Sequence, residues 1–357
     1  MSDDTARLYP PSRVFGTPFD EKSLDGVVSS TMAVCRPAHR IIEKACIVGN
    51  DTVLQPDSKT LYMTSSSPNL DTNAFVNSNH RGFASRFLDE AGEGEIIHAS
   101  RSAKTSMFSD KSAAFFSNLE KGNYGSFLIR QLNQILRYQS LGISCSCYVV
   151  PERSAWIMET FRVLGMPELP IYSVAEVCGE EFASIVLLNE GSSEGLFHND
   201  AVAQLRSLAD VMNGGSDQRN GRKIYVSRRL SALSRPRYRV MQNEDAVEAI
   251  MARHGFDIIY PETMSFSQQV RAFSNASHVI GPSGSGMLNV IFGEGAKIVD
   301  IETVHSTVRQ HAKLYSSANA EYAFLFEKPD PEDDVAPFLQ RWSLSENLLR
   351  EALDWLL

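Results

Sequence analysis

The 357-residue sequence has no excess of positive charge: Asp and Glu outnumber Lys and Arg 43 to 34, leaving a formal charge of −9. Without an overall basic field to attract phosphate polymers, a general nucleic-acid or anionic-surface binder is excluded. No uninterrupted apolar run approaches the roughly 20 residues that a membrane span requires. The opening Met1-Ser2-Asp3-Asp4 is acidic and lacks the basic start and apolar run of a secretory signal. These absences point to a cytoplasmic protein, with peripheral attachment to a membrane left open. Cysteine is scarce. Cys35, Cys46, Cys145, Cys147 and Cys178 are odd in number and irregular in spacing, and no second Cys/His cluster stands at zinc spacing. Alternation along a strand would turn the thiols of Cys145 and Cys147 to opposite sides, which suits buried reduced thiols better than a metal pair. No internal repeat recurs at a fixed period.

What is present is a soluble composition, 43% hydrophobic and 22% charged, on a chain long enough for two domains with cores of their own. Residues 1 to about 25, with Pro10, Pro11 and Pro18, read as a loose arm. From Val34 to His98 short apolar pieces alternate with turn formers, predicting a meander of short strands, and 65–69 reads as a loop. Ala113–Phe116 is a strand candidate. Phe127, Leu128, Leu132, Ile135 and Leu136 recur at helical spacing up to Gly142, Ser144–Val150 reads as a strand, Ser154–Leu164 as a helix and Ser184–Leu188 as another strand. That alternation predicts a parallel sheet covered by helices. Glu190-Gly191-Ser192-Ser193-Glu194-Gly195 is the best linker, so the expected division is 1–195 and 196–357. A helix over Asn199–Met212 and an amphipathic C-terminal stretch, Leu344–Leu357, complete the second part.

The most informative stretch runs from Arg222 to Asp300. Between Arg222 and Arg239 stand six arginines and one lysine with no acid among them. A strand at Lys223–Ser227 empties into Arg228, Arg229, Arg235, Arg237 and Arg239. A helix from Asn243, a strand at Gly255–Tyr260, a helix from Ser265 and a strand at His278–Ile280 follow. The last leads into Gly281-Pro282-Ser283-Gly284-Ser285-Gly286 and a further helix, before a strand at Lys297–Ile301. Arginine is favoured over lysine for forked recognition of phosphate, and a glycine-rich helix N-terminus offers backbone N–H groups to an anion. A diphosphate is therefore the expected ligand of Arg228, Arg229, Arg235 and Arg237 with Ser283, Gly284, Ser285 and Gly286.

Neighbouring motif readings fail on chemistry. Met287 and Leu288 stand where a nucleoside-triphosphatase loop needs lysine and a hydroxyl. G-x-x-G-x-G misses the dinucleotide fingerprint, and no G-x-S-x-G frame fits Ser283 or Ser285. No Asp-x-Asp pair ends a strand, and the contiguous Asp333-Asp334 lies in an acidic, proline-containing run, so no metal and no cofactor are expected.

Tyr225-Val226-Ser227-Arg228-Arg229, Arg239, Asn243-Glu244, Gly255-Phe256, Pro261-Glu262, Ser267-Gln268-Gln269, Phe273, Ala276 and Gly281–Asn289 with Phe292 together resemble glycosyltransferase family 61. Roughly 80 residues match in order, and Asn123-Tyr124-Gly125-Ser126-Phe127-Leu128 echoes an upstream family segment. The resemblance implies an α/β, GT-B-like fold: two Rossmann-like domains facing a central cleft, the first for the acceptor and the second for a nucleotide sugar. It implies inverting, metal-independent transfer from a nucleotide-diphosphate donor, a UDP-sugar by preference, to a hydroxyl of a glycan or polysaccharide acceptor. It also makes Glu244 and Gln269 donor-site candidates, and Glu302 follows a strand end where a carboxylate suits ribose hydroxyls.

The sequence departs from the family pattern at catalytic positions. Ser283 and Ser126 stand where the family has histidine, and Arg130 where it has glutamate. An inverting transferase needs a group to take the acceptor's proton; by position alone the candidates are His198, Asp110 and Glu152. The alternative is a non-catalytic nucleotide-sugar-binding or scaffold protein that has lost its catalytic residues.

Overall fold

The computed structural model describes residues 4–18, 24–57, 60–64, 106–214, 221–236, 239–302, 308–329 and 339–357. Arg237, the 65–69 loop, the rest of the expected meander as far as His98, and Asp333-Asp334 lie outside the described residues. Among the described residues no helix is long and apolar enough to cross a membrane.

The chain forms two compact units, Val34–Ser193 and Met1–Ala33 with Glu194–Leu357. The first 33 residues thus join the C-terminal part, where a loose arm at the start of 1–195 was expected. Backbone pairing is the reason. Arg13–Gly16 adds a parallel edge strand to Glu321–Phe326, with Val14 opposite Phe324. Phe15 is buried in the core of that unit, edge-on to Trp355 at 6.2 Å between ring centres. Thr5–Leu8 pairs antiparallel with Ser30–Ala33.

The Val34–Ser193 unit is a seven-stranded sheet in the order Thr60–Met63, Thr52–Gln55, His39–Ile47, Glu181–Leu188, Ser112–Phe115, Cys147–Val150, Ile171–Ser173. The last four are mutually parallel, as the strand–helix alternation predicts. His39–Ile47, Thr52–Gln55 and Thr60–Met63 are antiparallel and form the described part of the meander, although His39–Ile47 is one long strand of nine residues. All four residues of Cys147–Val150 are buried, as befits a strand covered on both faces. The expected helix around Phe127–Leu136 is divided: Phe127–Gln131 is π-helical and Leu132–Leu141 α-helical, ending at Gly142 with φ 64°. Such a positive φ is a common helix stop and favours glycine.

The other unit carries six parallel strands in the order Asp257–Ile259, Arg222–Val226, Ala276–Pro282, Lys297–Glu302, Glu321–Phe326, Arg13–Gly16. From Arg222–Val226 the chain steps to one side, then crosses back to place Ala276–Pro282 on the other. The direction of winding therefore reverses between these two strands. Helices leave such a point on opposite faces of the sheet, and the crevice between them at the carboxyl ends of the strands is where ligands bind in open α/β sheets. One face is packed by Glu244–Arg253 and by the C-terminal helix Glu346–Leu356 over Tyr225, Ile280, Val299 and Ile301. Leu349, Leu353 and Leu356 recur at helical spacing and are buried, each contributing about 1.5–3 kcal/mol.

Candidate functional site

The basic strand Arg222–Val226 ends in buried Ser227, and the chain then turns into a short helix, Arg229–Ser234. Beside it, Glu244 and Glu248 lie one turn apart on Glu244–Arg253, both buried. Glu244 Oε1 accepts from the Arg228 backbone N–H at 2.7 Å and from the Ser227 hydroxyl at 3.2 Å. Ser227 also donates to Glu248 at 2.7 Å. Burial pushes the Glu244 carboxyl above its ordinary pKa, opposed by its hydrogen bonds from the Arg228 N–H and Ser227. Tyr225, buried against the same carboxylate, has its pKa raised well above the usual phenol value, so it stays a neutral donor.

Across the reversal point lies the glycine loop. Gly281 must be glycine, since a Cβ there would stand 2.5 Å from the Val226 carbonyl oxygen. Arg228 reaches over the loop, its Nη1 donating to the Ser283 carbonyl at 2.5 Å. A Cβ on Gly284 would lie 2.8 Å from that nitrogen, so the missing side chain is the space the guanidinium occupies. Ser285–Phe292 follows as a 3₁₀ helix, with Gly286 in its first turn against Pro261. Met287 N–H bonds Gly284 O, and N–H groups ahead of it have no acceptor within the helix. The loop is held from behind by Asn289, which donates to Gly286 O and to Gln269 Oε1. Gln269 in turn donates to Pro261 O and Met264 O, so its amide is engaged within the fold.

Beneath the loop is a buried polar chain that sequence reasoning missed. Asp300 Oδ2 accepts from the Tyr315 hydroxyl at 2.5 Å and from His311 Nδ1 at 2.6 Å. The same imidazole nitrogen is 3.4 Å from Ser283 Oγ. A serine–histidine–aspartate relay needs the two partners on opposite ring nitrogens. Here both meet Nδ1, so the arrangement supports the loop and makes no nucleophile of Ser283. The one available signal was Asp300 itself, an acid inside an apolar strand. Its Oδ1 is buried with no hydrogen-bond partner among the described residues.

The other arginines diverge, although they are close in sequence. Arg229 pairs with Glu248 at 3.2 Å and bonds the Tyr260 hydroxyl at 2.9 Å, with its guanidinium 5.7 Å from that ring's centre. Arg235 is exposed at the end of the short helix. Arg239, in the left-handed region at φ 55°, is buried in an ion pair with Glu302, which is 0% exposed. Arg222, at the opposite end of the strand, pairs with Asp257 at 2.6 Å. The stretch contains no acid, but four carboxylates from elsewhere in the chain meet its arginines: Glu244, Glu248, Glu302 and Asp257. Arg228 is the arginine brought onto the glycine loop.

The three proton-acceptor candidates are not brought together. His198 is buried and caps the helix Asn199–Met212, its Nδ1 accepting from Asp200 N–H at 3.1 Å. Asp110 is exposed ahead of Ser112–Phe115, at the amino edge of its sheet. Glu152 is exposed just past the carboxyl end of Cys147–Val150, near Gly122. In the same unit a buried polar cluster gathers where Ser112–Phe115 and Glu181–Leu188 end. Ser126 donates to Asn118 at 2.6 Å, Gln134 bonds Ser117, and Gln131 bonds Phe116 O. Arg130 lies 3.5 Å from Glu190, and Asn133 donates to Glu190 O at 3.3 Å while its own Oδ1 is buried without a partner among the described residues. The sequence read Glu190 as linker; its burial follows from its position directly after a strand buried at its carboxyl end.

Residues 124–299 match the family model described as Glycosyltransferase 61. No curated protein matches the chain. The matched span begins at the helix that carries Ser126 and Arg130 and takes in the arginine turn, the acid-bearing helix and the whole glycine loop. This match supports membership of the glycosyltransferase 61 family.

Proposed function

We propose that the protein transfers a sugar from a nucleotide-diphosphate donor, a UDP-sugar by preference, to a hydroxyl of a glycan acceptor, with inversion and without a bound metal. The observation that carries this reading is the crevice at the reversal of sheet winding, where Arg228 lies over Ser283–Gly286 at the carboxyl ends of two adjacent strands. A fixed guanidinium beside a helix N-terminus is suited to the charge that develops on a departing diphosphate, the task a divalent ion performs in other designs. The acceptor hydroxyl attacks the anomeric carbon, the bond from that carbon to the diphosphate oxygen breaks, and the hydroxyl proton passes to a protein base. We assign that base to Glu190, the buried carboxylate beside Arg130 at the carboxyl ends of the other unit's parallel strands; Glu152, at the same edge, is the alternative. The family arrangement, two such units facing a cleft with the reaction between them, is proposed here as well, as is action in the cytoplasm.

Calorimetric titration of UDP into the protein, with and without EDTA, tests the donor site. Binding that survives EDTA and weakens at least tenfold in Arg228→Ala is expected; unchanged affinity in the variant overturns the assignment. One observation favours the second reading, a binding or scaffold protein: Ser126, in the place of the upstream histidine, has its hydroxyl engaged by Asn118. That reading predicts UDP binding with no UDP release from any UDP-sugar.

A further inference from the structure

At the opposite end of the donor-side sheet is a cavity of about 610 Å³, within the range of roughly 300–1,000 Å³ usual for small-molecule sites. Glu294 and Asn319, on its wall, lie ahead of Lys297–Glu302 and Glu321–Phe326. They therefore stand at the amino ends of strands whose carboxyl ends face the Ser283–Gly286 side. A second wall is one stripe of the helix Asn199–Met212: Asn199, Val202, Ala203 and Arg206, spaced so that all face one way. Arg7 and Tyr9, from the N-terminal segment, close a third side.

The wall is held rigid by its own bonds. Ser316 Oγ accepts from Tyr9 N–H and donates to Ala312 O, and Ser317 Oγ accepts from Phe197 N–H and donates to Lys313 O. The groups still able to meet a ligand are balanced between donors and acceptors. Arg206 Nη1 is 3.2 Å from Glu294 Oε1, which neutralises its charge while leaving about a third of each side chain exposed. An Arg–Glu pair, two amides and threonine hydroxyls suit a ligand whose groups each donate and accept. The half-exposed Tyr9 ring offers a flat apolar face beside them. Neutral sugars have both features, polar edges and apolar ring faces. A phosphate ligand is disfavoured, because Arg7 is the one cation of the wall without an acidic partner in it.

We infer that this cavity is a second carbohydrate-binding site, taking a short neutral oligosaccharide segment away from the reacting end of the molecule. It is independent of the donor-site reading. If both hold, it tethers a long glycan and raises its effective concentration at the reaction site.

Saturation-transfer NMR with cellotetraose, xylotetraose and maltotetraose tests it. At least one probe is expected to receive saturation from the protein, to keep it in excess UDP and in Arg228→Ala, and to bind about tenfold more weakly in Arg206→Ala and in Asn199→Ala. Asn199 is an exposed first-turn residue, so its replacement guards against mere unfolding of the arginine variant. Three silent probes, displacement by UDP, or undiminished binding in both variants overturns the inference. Failure of UDP to bind the wild type bears on the donor site alone.

Discussion

Replacing Gly284 by alanine separates the geometry of the donor loop from its stability. The backbone of Gly284 is extended, at φ 161° and ψ −179°, so alanine adopts it without strain. The added methyl would stand 2.8 Å from Arg228 Nη1 and 3.4 Å from the guanidinium carbon. Those atoms are the far end of a flexible, half-exposed side chain, which can swing away at little cost to the fold. What is lost is the bond from Nη1 to Ser283 O and the aim of the charge along the loop. A hydrogen bond to a charged group is worth about 1.5–3 kcal/mol net, and at 1.4 kcal/mol per decade the expected loss of UDP affinity is roughly 10- to 100-fold.

Calorimetry supplies the affinity, and a thermal melt of the same sample supplies the control, expected to shift by little. The double variant Gly284→Ala/Arg228→Ala sharpens the test. If the methyl acts only by displacing Arg228, the glycine change should have almost no further effect once the arginine is gone, because the two residues are in contact and couple. A Gly284→Ala protein that melts like the wild type and binds UDP equally well refutes the account of the loop. Additive losses in the double variant refute the role of Arg228 specifically.

Arg239→Met removes the guanidinium that pairs with buried Glu302 and should cost about 3–5 kcal/mol. That corresponds to a fall in melting temperature on the order of 10 °C, and a fall below about 2 °C would show that the pair is not buried in solution. Glu244 has a folded pKa above its unfolded one, so the folded state binds the extra proton and stability falls as pH rises through that window. The wild type's stability relative to Glu244→Gln should therefore be highest below the ordinary carboxylate range and decline as pH rises. A difference that is flat between about pH 4 and 7 in denaturant titrations contradicts this. Glu190→Gln should lower UDP release from a productive donor and acceptor pair by roughly 10²–10⁴ with UDP affinity unchanged. Equal losses in binding and turnover would make Glu190 a structural residue.

The alternation of strands and helices after Ala113 and after Arg222 was legible because parallel strands buried on both faces read as short apolar runs, as at Cys147–Val150 and Lys297–Glu302. The edge strand Arg13–Gly16 was not. Its burial pattern exposes three of four residues, and its partner, Glu321–Phe326, is some 300 positions away. The glycine loop was found from its composition, since Gly281 and Gly284 are dictated by close approach, which sequence displays as glycine spacing. The chain of Tyr315, Asp300 and His311 was hidden because a lone acid in one strand meets two polar residues one turn apart on the helix that follows. Glu190 was read as linker for the same reason that it matters: it stands where a buried strand stops.

The arginine run shows why charge read along a chain differs from charge met by a ligand. Six arginines without a local acid suggested a strongly positive patch, yet Arg222, Arg229 and Arg239 each pair with a carboxylate from another element. Sheet order decides where each arginine is directed. Glu244 and Glu248 arrive on a helix that leaves one side of the reversal point, and they engage the backbone of Arg228 and the side chain of Arg229. The glycine loop arrives on the other side and receives the Arg228 side chain on a backbone carbonyl instead. A carbonyl holds a guanidinium in place without neutralising it, whereas a carboxylate does both. Arg228 is thus oriented along the loop, and a cation held in place beforehand can stabilise developing negative charge without reorganising at the moment of reaction.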